Sequence, residues 1–161
     1  MDSSPIHSLQ IQPLMKIEII NGPNLNLLGQ RDPEIYGSTT LEDVIGMLRK
    51  KLPGTDIEHF QSNGEGEIID RLQEIRLDKE ICGIIINPGA YAHYSYAIAD
   101  ALRDLKGIKP VVEVHISNIH AREEFRSHSV TAACVNAVIA GAGINGYLLA
   151  ARHLLSLNQN Q

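Results

Sequence analysis

Four runs of apolar residues, each breaking into a polar cluster, constrain this chain more than any other feature. Lys16-Ile-Glu-Ile-Ile leads into Asn21-Gly-Pro-Asn-Leu-Asn, and Asp56-Ile-Glu-His-Phe into Gln61-Ser-Asn-Gly-Glu-Gly. Gly83-Ile-Ile-Ile leads into Asn87-Pro-Gly-Ala-Tyr-Ala-His, and Pro110-Val-Val-Glu-Val into His115-Ile-Ser-Asn-Ile-His. Between the runs lie segments with helical periodicity, the pattern of a parallel sheet with crossover helices. If the runs are parallel strands, all four clusters fall at one edge of one sheet. Open α/β sheets bind ligands at that edge.

The expected strands are about Met15–Ile20, Asp56–Gln61, Gly83–Asn87, Val111–His115 and Cys134–Ala140. Gly83–Asn87 is a continuous isoleucine run, as suits a strand buried on both faces. Thr39-Thr-Leu-Glu42 reads as a capping box opening a helix with Leu41, Val44, Ile45 and Leu48 on one face. A second helix carries Ile68, Ile69, Leu72 and Ile75, with Leu77 at the end of the stripe. A third spans about Tyr94–Leu105, and the last about Ile144–Leu157. The expected fold is a flavodoxin-like, doubly wound sheet of five parallel strands with helices on both faces. The segment 15–161 reads as a single domain, preceded by a disordered extension over residues 1–14 that lacks the features of a secretory signal.

Charge narrows the partners. Nineteen acidic against fourteen basic residues leave a formal net charge of -5, which argues against a nucleic-acid partner. No apolar stretch is long enough to span a membrane, and a cytoplasmic location is expected. Cys82 and Cys134 lie in apolar runs and read as buried, reduced thiols.

Each polar cluster has an ordinary reading beside a chemical one. Asn21-Gly-Pro-Asn24-Leu-Asn26 is rich in turn formers, yet amides at a strand end also orient water or an oxyanion. Gln30-Arg31-Asp-Pro-Glu-Ile-Tyr36-Gly37 is a long non-helical stretch, of the kind that serves as a lid. A cation beside a phenol favours the phenolate, which makes a tyrosine a usable base. Asn87 and His93 follow the isoleucine run. Glu113 and His115 share one strand face by period two. Without a second ligand pair or a nearby cysteine they do not read as a metal site; a carboxylate that fixes an imidazole tautomer suits general acid work. Arg122 and Arg126, four apart, fall on one side of a helical turn and suit an anionic ligand group.

Four of these segments, in order, resemble type II 3-dehydroquinate dehydratase over about Met15 to Leu157: Ile20-Asn-Gly-Pro-Asn-Leu-Asn, Arg31-Asp-Pro-Glu-Ile-Tyr-Gly, Asn87-Pro-Gly-Ala-Tyr-Ala-His, and Glu113-Val-His-Ile-Ser-Asn-Ile-His-Ala-Arg-Glu. The resemblance implies anti elimination of water from 3-dehydroquinate to 3-dehydroshikimate, in the shikimate pathway or in quinate catabolism, with no cofactor and no metal. It also implies a homododecamer built as a tetramer of trimers. Tyr36 then corresponds to the base, Arg31 to the cation that favours its phenolate, and Asn24 to the amide holding a water at the enolate. His115 corresponds to the general acid, with Glu113 as its partner. Asn87, His93, Ile116, Ser117, Arg122 and Arg126 correspond to residues around the substrate, and Asp100 to an aspartate reaching the neighbouring subunit's site. Gly64 stands where members of the family often carry a bulkier residue.

The competing expectation is a non-catalytic flavodoxin-like module for an anionic metabolite, which the fold alone would permit. Against it, the first loop has no G-x-G-x-x-G phosphate fingerprint.

Overall fold

The computed structural model describes residues 14–159. The expected extension over 1–14 therefore lies, Leu14 apart, outside the described residues. Five parallel strands form one sheet in the order β2-β1-β3-β4-β5: β1 (Met15–Asn21), β2 (Thr55–Gln61), β3 (Ile81–Asn87), β4 (Val111–His115) and β5 (Ala137–Ala140). The order reverses direction between β1 and β3, where doubly wound sheets open a crevice. Because every pairing is parallel, the carboxyl ends Asn21, Gln61, Asn87 and His115 share one edge.

The crossover helices are α2 (Leu41–Lys51), α3 (Glu65–Leu77), α4 (Tyr96–Arg103) and α5 (Asn145–Gln159). A single helical turn, α1 (Pro33–Tyr36), sits in the long loop after β1. Alternation along the strands supplies both faces of the sheet. Ile17, Ile19, Ile85, Val112 and Val114 pack with α2 and α5. Ile20, Ile84, Ile86 and Val111 pack with α3 and α4.

Local chemistry moves several expected boundaries. The capping box lies one residue later than read from the sequence. Thr40 Oγ1 accepts from the Asp43 N–H at 3.1 Å and Asp43 Oδ2 accepts from the Thr40 N–H at 3.0 Å, so the true box ends in Asp rather than Glu. Helix α4 starts at Tyr96 because Ser95 Oγ caps the Ile98 N–H at 3.0 Å. Gly89–His93 ahead of it is a separate 3-10 segment. β5 begins three residues later than expected. Ala132–Cys134 forms a 3-10 turn, and Asn136 then pairs with Val111 through both backbone and side chain, each at 2.8 Å. Cys134 is buried but Cys82 only half-buried, where partial burial pushes its thiol pKa up.

Candidate active site

The loops after β1, β3 and β4 meet at the sheet edge around a cleft that opens to solvent. Gly22 makes that meeting possible. Its N–H donates to Asn87 O at 2.8 Å, and a Cβ there would lie 2.6 Å from Pro88 O. Only glycine lets the two strand-end loops approach this closely. Two residues later Asn24 takes a left-handed conformation with φ 69°. Its N–H donates to Asn63 Oδ1 at 3.0 Å. Asparagine tolerates this backbone region better than most residues, and the turn places Asn24 on the cleft wall.

His115 closes β4 on the opposite wall. Its Nε2 lies 2.8 Å from Glu113 Oε2, with both residues buried. The second carboxylate oxygen, Glu113 Oε1, accepts from the hydroxyl of Thr131, which is also fully buried. A buried carboxylate is tolerable only with its lone pairs engaged, and here each oxygen has a donor. With Nε2 committed to Glu113, the ring's remaining nitrogen is Nδ1. His93 packs beside it, with ring centroids 6.1 Å apart and planes 24° apart. His93 Nδ1 donates to His128 O at 2.8 Å. Burial pushes the His93 imidazole pKa down, with a smaller contribution from His115, so the ring is held neutral with Nε2 as an acceptor.

Thr131 was not legible from the sequence. It lies in an unremarkable polar stretch sixteen residues after the strand it serves, and no local spacing ties it to Glu113. Thr131→Val keeps the shape and strips the hydroxyl, leaving a buried carboxylate oxygen without its donor. It is expected to cost about 1–3 kcal/mol of stability, read as a lower denaturant midpoint. An unchanged midpoint would show that Glu113 finds another donor.

The third wall carries Tyr36 at the end of α1. Arg122 Nη1 donates to the Tyr36 hydroxyl oxygen at 2.7 Å and to Ser117 Oγ at 3.3 Å. Its guanidinium carbon lies 5.4 Å from the Tyr36 ring centroid. Arg31 borders the same cleft but is exposed and pairs with Asp32 at 3.5 Å. The cation on the phenol is therefore Arg122 in this structure, where the sequence pointed to Arg31. The reason is reach across the cleft, which loop adjacency does not reveal. Arg122 and Arg126 do not share an α-helical turn either. Arg122 ends one 3-10 segment and Arg126 lies in the next, yet both border the cleft. Arg126 Nε bonds Glu123 Oε2 at 2.5 Å, and its guanidinium stacks over Phe125.

Of the residues singled out from sequence, Asn24, Arg31, Tyr36, Asn87, His93, His115, Ile116, Ser117, Arg122 and Arg126 all line this one cleft, and Glu113 stands directly behind His115. Asp100 does not. It is exposed on α4 and pairs with Arg103 at 2.6 Å. Glu113 and His115 bond to each other, and among the described residues no group of three His, Cys, Asp or Glu side chains is placed to hold a metal ion.

The profile of the family described as dehydroquinase class II matches residues 15–155. A 3-dehydroquinate dehydratase of Thermotoga neapolitana is 53% identical over 142 residues, covering 87% of this chain and 94% of the relative. The 3-dehydroquinate dehydratase of Streptomyces coelicolor is 51% identical over 93% of both chains. The crystal structure of type II dehydroquinase from Butyrivibrio crossotus superposes with a TM-score of 0.84 at 48% identity, covering 88% of this chain and 97% of that one. The chain belongs to the class II dehydroquinase family.

Proposed function

We infer that this chain is a hydro-lyase that removes water from 3-dehydroquinate to give 3-dehydroshikimate. One observation carries the reading furthest: a phenol with a guanidinium on its oxygen and a histidine–glutamate pair border the same cleft. An elimination needs a base for the carbon acid and an acid for the leaving hydroxyl, and these two groups supply them. Tyr36, as phenolate, takes the proton alpha to the ketone, and the electron pair moves into an enolate. Asn24 holds a water against the enolate oxygen. The enolate then collapses, the carbon–oxygen bond to the leaving hydroxyl breaks, and His115 delivers the proton that makes it water. Glu113 steadies the charged imidazole.

The remaining groups suit the substrate's oxygens. Asn87, His93 and the Ile116–Ser117 segment offer hydrogen bonds, and Arg126 offers a cation to a carboxylate. Arg122 Nε is buried with no partner among the described residues, a donor free for a ligand oxygen. No helix among the described residues is long and apolar enough to cross a membrane. Assembly as a dodecamer of four trimers, with Asp100 reaching the neighbouring subunit's site, rests on the family resemblance; the exposure of Asp100 on α4 is compatible with it.

The two arginines give a test of the base. Removing a cation disfavours the phenolate. Arg122→Ala, which strips the donor from the phenol oxygen, is expected to lower kcat by on the order of 10², and Arg31→Ala, whose guanidinium pairs with Asp32 instead, to lower it less. Wild-type kcat in Arg122→Ala would take that contact out of the mechanism. The reading as a whole is tested by following near-ultraviolet absorbance when purified protein meets 3-dehydroquinate. An enzyme builds up the enone product with time. A binding module would give a saturable binding signal and no product, and neither the family match nor the paired acid and base favours it.

A further inference from the structure

A line of hydrogen bonds, buried at its centre, runs behind Asn87, and its inner members have no part in the steps above. Gly89 N–H donates to Asn87 Oδ1 at 3.1 Å. Asn87 Nδ2 donates to the Tyr147 hydroxyl oxygen at 3.0 Å. The Tyr147 hydroxyl donates to Asn21 Oδ1 at 2.6 Å, and Asn21 Nδ2 approaches His59 Nε2 at 3.2 Å. Asn21 and Tyr147 are wholly buried. The line joins the ends of β1 and β3 to α5 and β2, and of its side chains only that of Asn87 borders the cleft.

The direction of the whole line is dictated at its first link. A backbone N–H only donates, so Asn87 must turn its carbonyl oxygen to Gly89 and its nitrogen to Tyr147. The tyrosine hydroxyl, having accepted from Asn87, passes its single proton to Asn21 Oδ1. Burial pushes the Tyr147 pKa up and keeps that proton in place. Asn21 then has only N–H left for His59, which accepts as a neutral ring. Burial, with help from Arg49, pushes the His59 pKa down, so the far end agrees with the near one. Reversing the Asn87 amide would set its NH₂ against the Gly89 N–H and leave two buried donors facing each other.

An amide nitrogen carries two hydrogens. Tyr147 takes one from Asn87, and the other has no acceptor among the described residues. We propose that Tyr147, held in turn by Asn21, is a positioning residue for the dehydration: it fixes the Asn87 amide so that the cleft presents an N–H donor there and selects a substrate oxygen that accepts. This rests on 3-dehydroquinate, with its hydroxyl and carboxylate oxygens, being the substrate.

The test is a double-mutant cycle read in KM. Tyr147→Phe removes one oxygen from a fully enclosed ring. It is expected to raise KM for 3-dehydroquinate about tenfold, the worth of one well-placed hydrogen bond, with kcat nearly unchanged. In an Asn87→Ala background the same change should raise KM no further. A folded Tyr147→Phe enzyme with wild-type KM would overturn the proposal, and so would an equal rise in the Asn87→Ala background. Should Tyr147→Phe fail to fold, Asn21 decides. Asn21→Ala strips the acceptor from the Tyr147 hydroxyl and should raise KM, whereas Asn21→Asp restores an acceptor and should return KM to the wild-type value. Equal KM in these two variants would overturn it. Failure of the underlying reaction is told apart by the unmodified protein: no enone formed from 3-dehydroquinate would remove the reading, and the positioning role with it.

Discussion

Tyr36→Phe is expected to abolish dehydration while the fold and much of the ligand affinity survive. The substitution removes a single oxygen, and that oxygen is the proposed base. Loss of a general base lowers rates by on the order of 10²–10⁴, equivalent to roughly 3–5 kcal/mol in the barrier. The surroundings tolerate the change. Tyr36 is half-buried with its ring packed against the core, and phenylalanine keeps that ring. Arg122 gives up one hydrogen bond at the phenol oxygen but keeps Ser117 Oγ and the ring face. Turnover by near-ultraviolet absorbance and product affinity by calorimetry separate the two effects. Near-wild-type kcat would take Tyr36 out of the mechanism.

His115→Ala is expected to be equally damaging, for two reasons that different instruments separate. The first is chemical: without an acid the hydroxyl leaves unprotonated, which again lowers kcat by on the order of 10²–10⁴. The second is structural. Glu113 is wholly buried, and breaking a buried pair from one side costs about 3–5 kcal/mol because the remaining charge is uncompensated. His115→Ala should therefore lose stability as well as activity. Glu113→Gln keeps the shape and removes the charge, so it should lose less stability and still lower kcat. Denaturant midpoints and kcat for the two variants check this ordering. Glu113→Gln with unimpaired turnover would mean that the carboxylate only anchors the strand end.

How much of this was legible in the sequence depends on the range of the interaction. The strands were, because an isoleucine run such as Ile84–Ile86 is set by burial on both faces, a property each residue carries itself. The cleft was, because parallel strands put all their carboxyl ends on one edge, so Asn24, Asn87 and His115 had to converge once the strands were right. The Glu113–His115 pair followed from period two. What stayed hidden was contact between segments remote in the chain. Arg122 on the Tyr36 phenol spans 86 positions, and Tyr147 on Asn21 spans 126. Periodicity carries no information about either. The start of β5 was misplaced because Cys134-Val-Asn-Ala-Val-Ile-Ala reads as one apolar run, while the Thr131–Cys134 turn bond and Asn136 delay the ladder. The i, i+4 reading of Arg122 and Arg126 failed on backbone geometry, since two short 3-10 segments replace the helical turn. Both residues still border the cleft.

The central claim is an enolate route in which no lysine touches the substrate, and the lysines allow a direct test. A depressed pKa marks lysines that form imines, and Lys109 has one, pushed down by burial. Its ammonium, however, donates to Asp78 O and Ile81 O at 2.5 and 2.7 Å. Ile81 begins β3 whereas Asn87 ends it, and a seven-residue strand is about 20 Å long. Lys109 thus stands at the edge of the sheet opposite the cleft. The decisive measurement is borohydride treatment of the enzyme during turnover of 3-dehydroquinate, followed by intact-mass analysis and residual activity. The enolate route predicts full residual activity and an unmodified chain. Irreversible inactivation, with a substrate-derived adduct on a lysine, would contradict it.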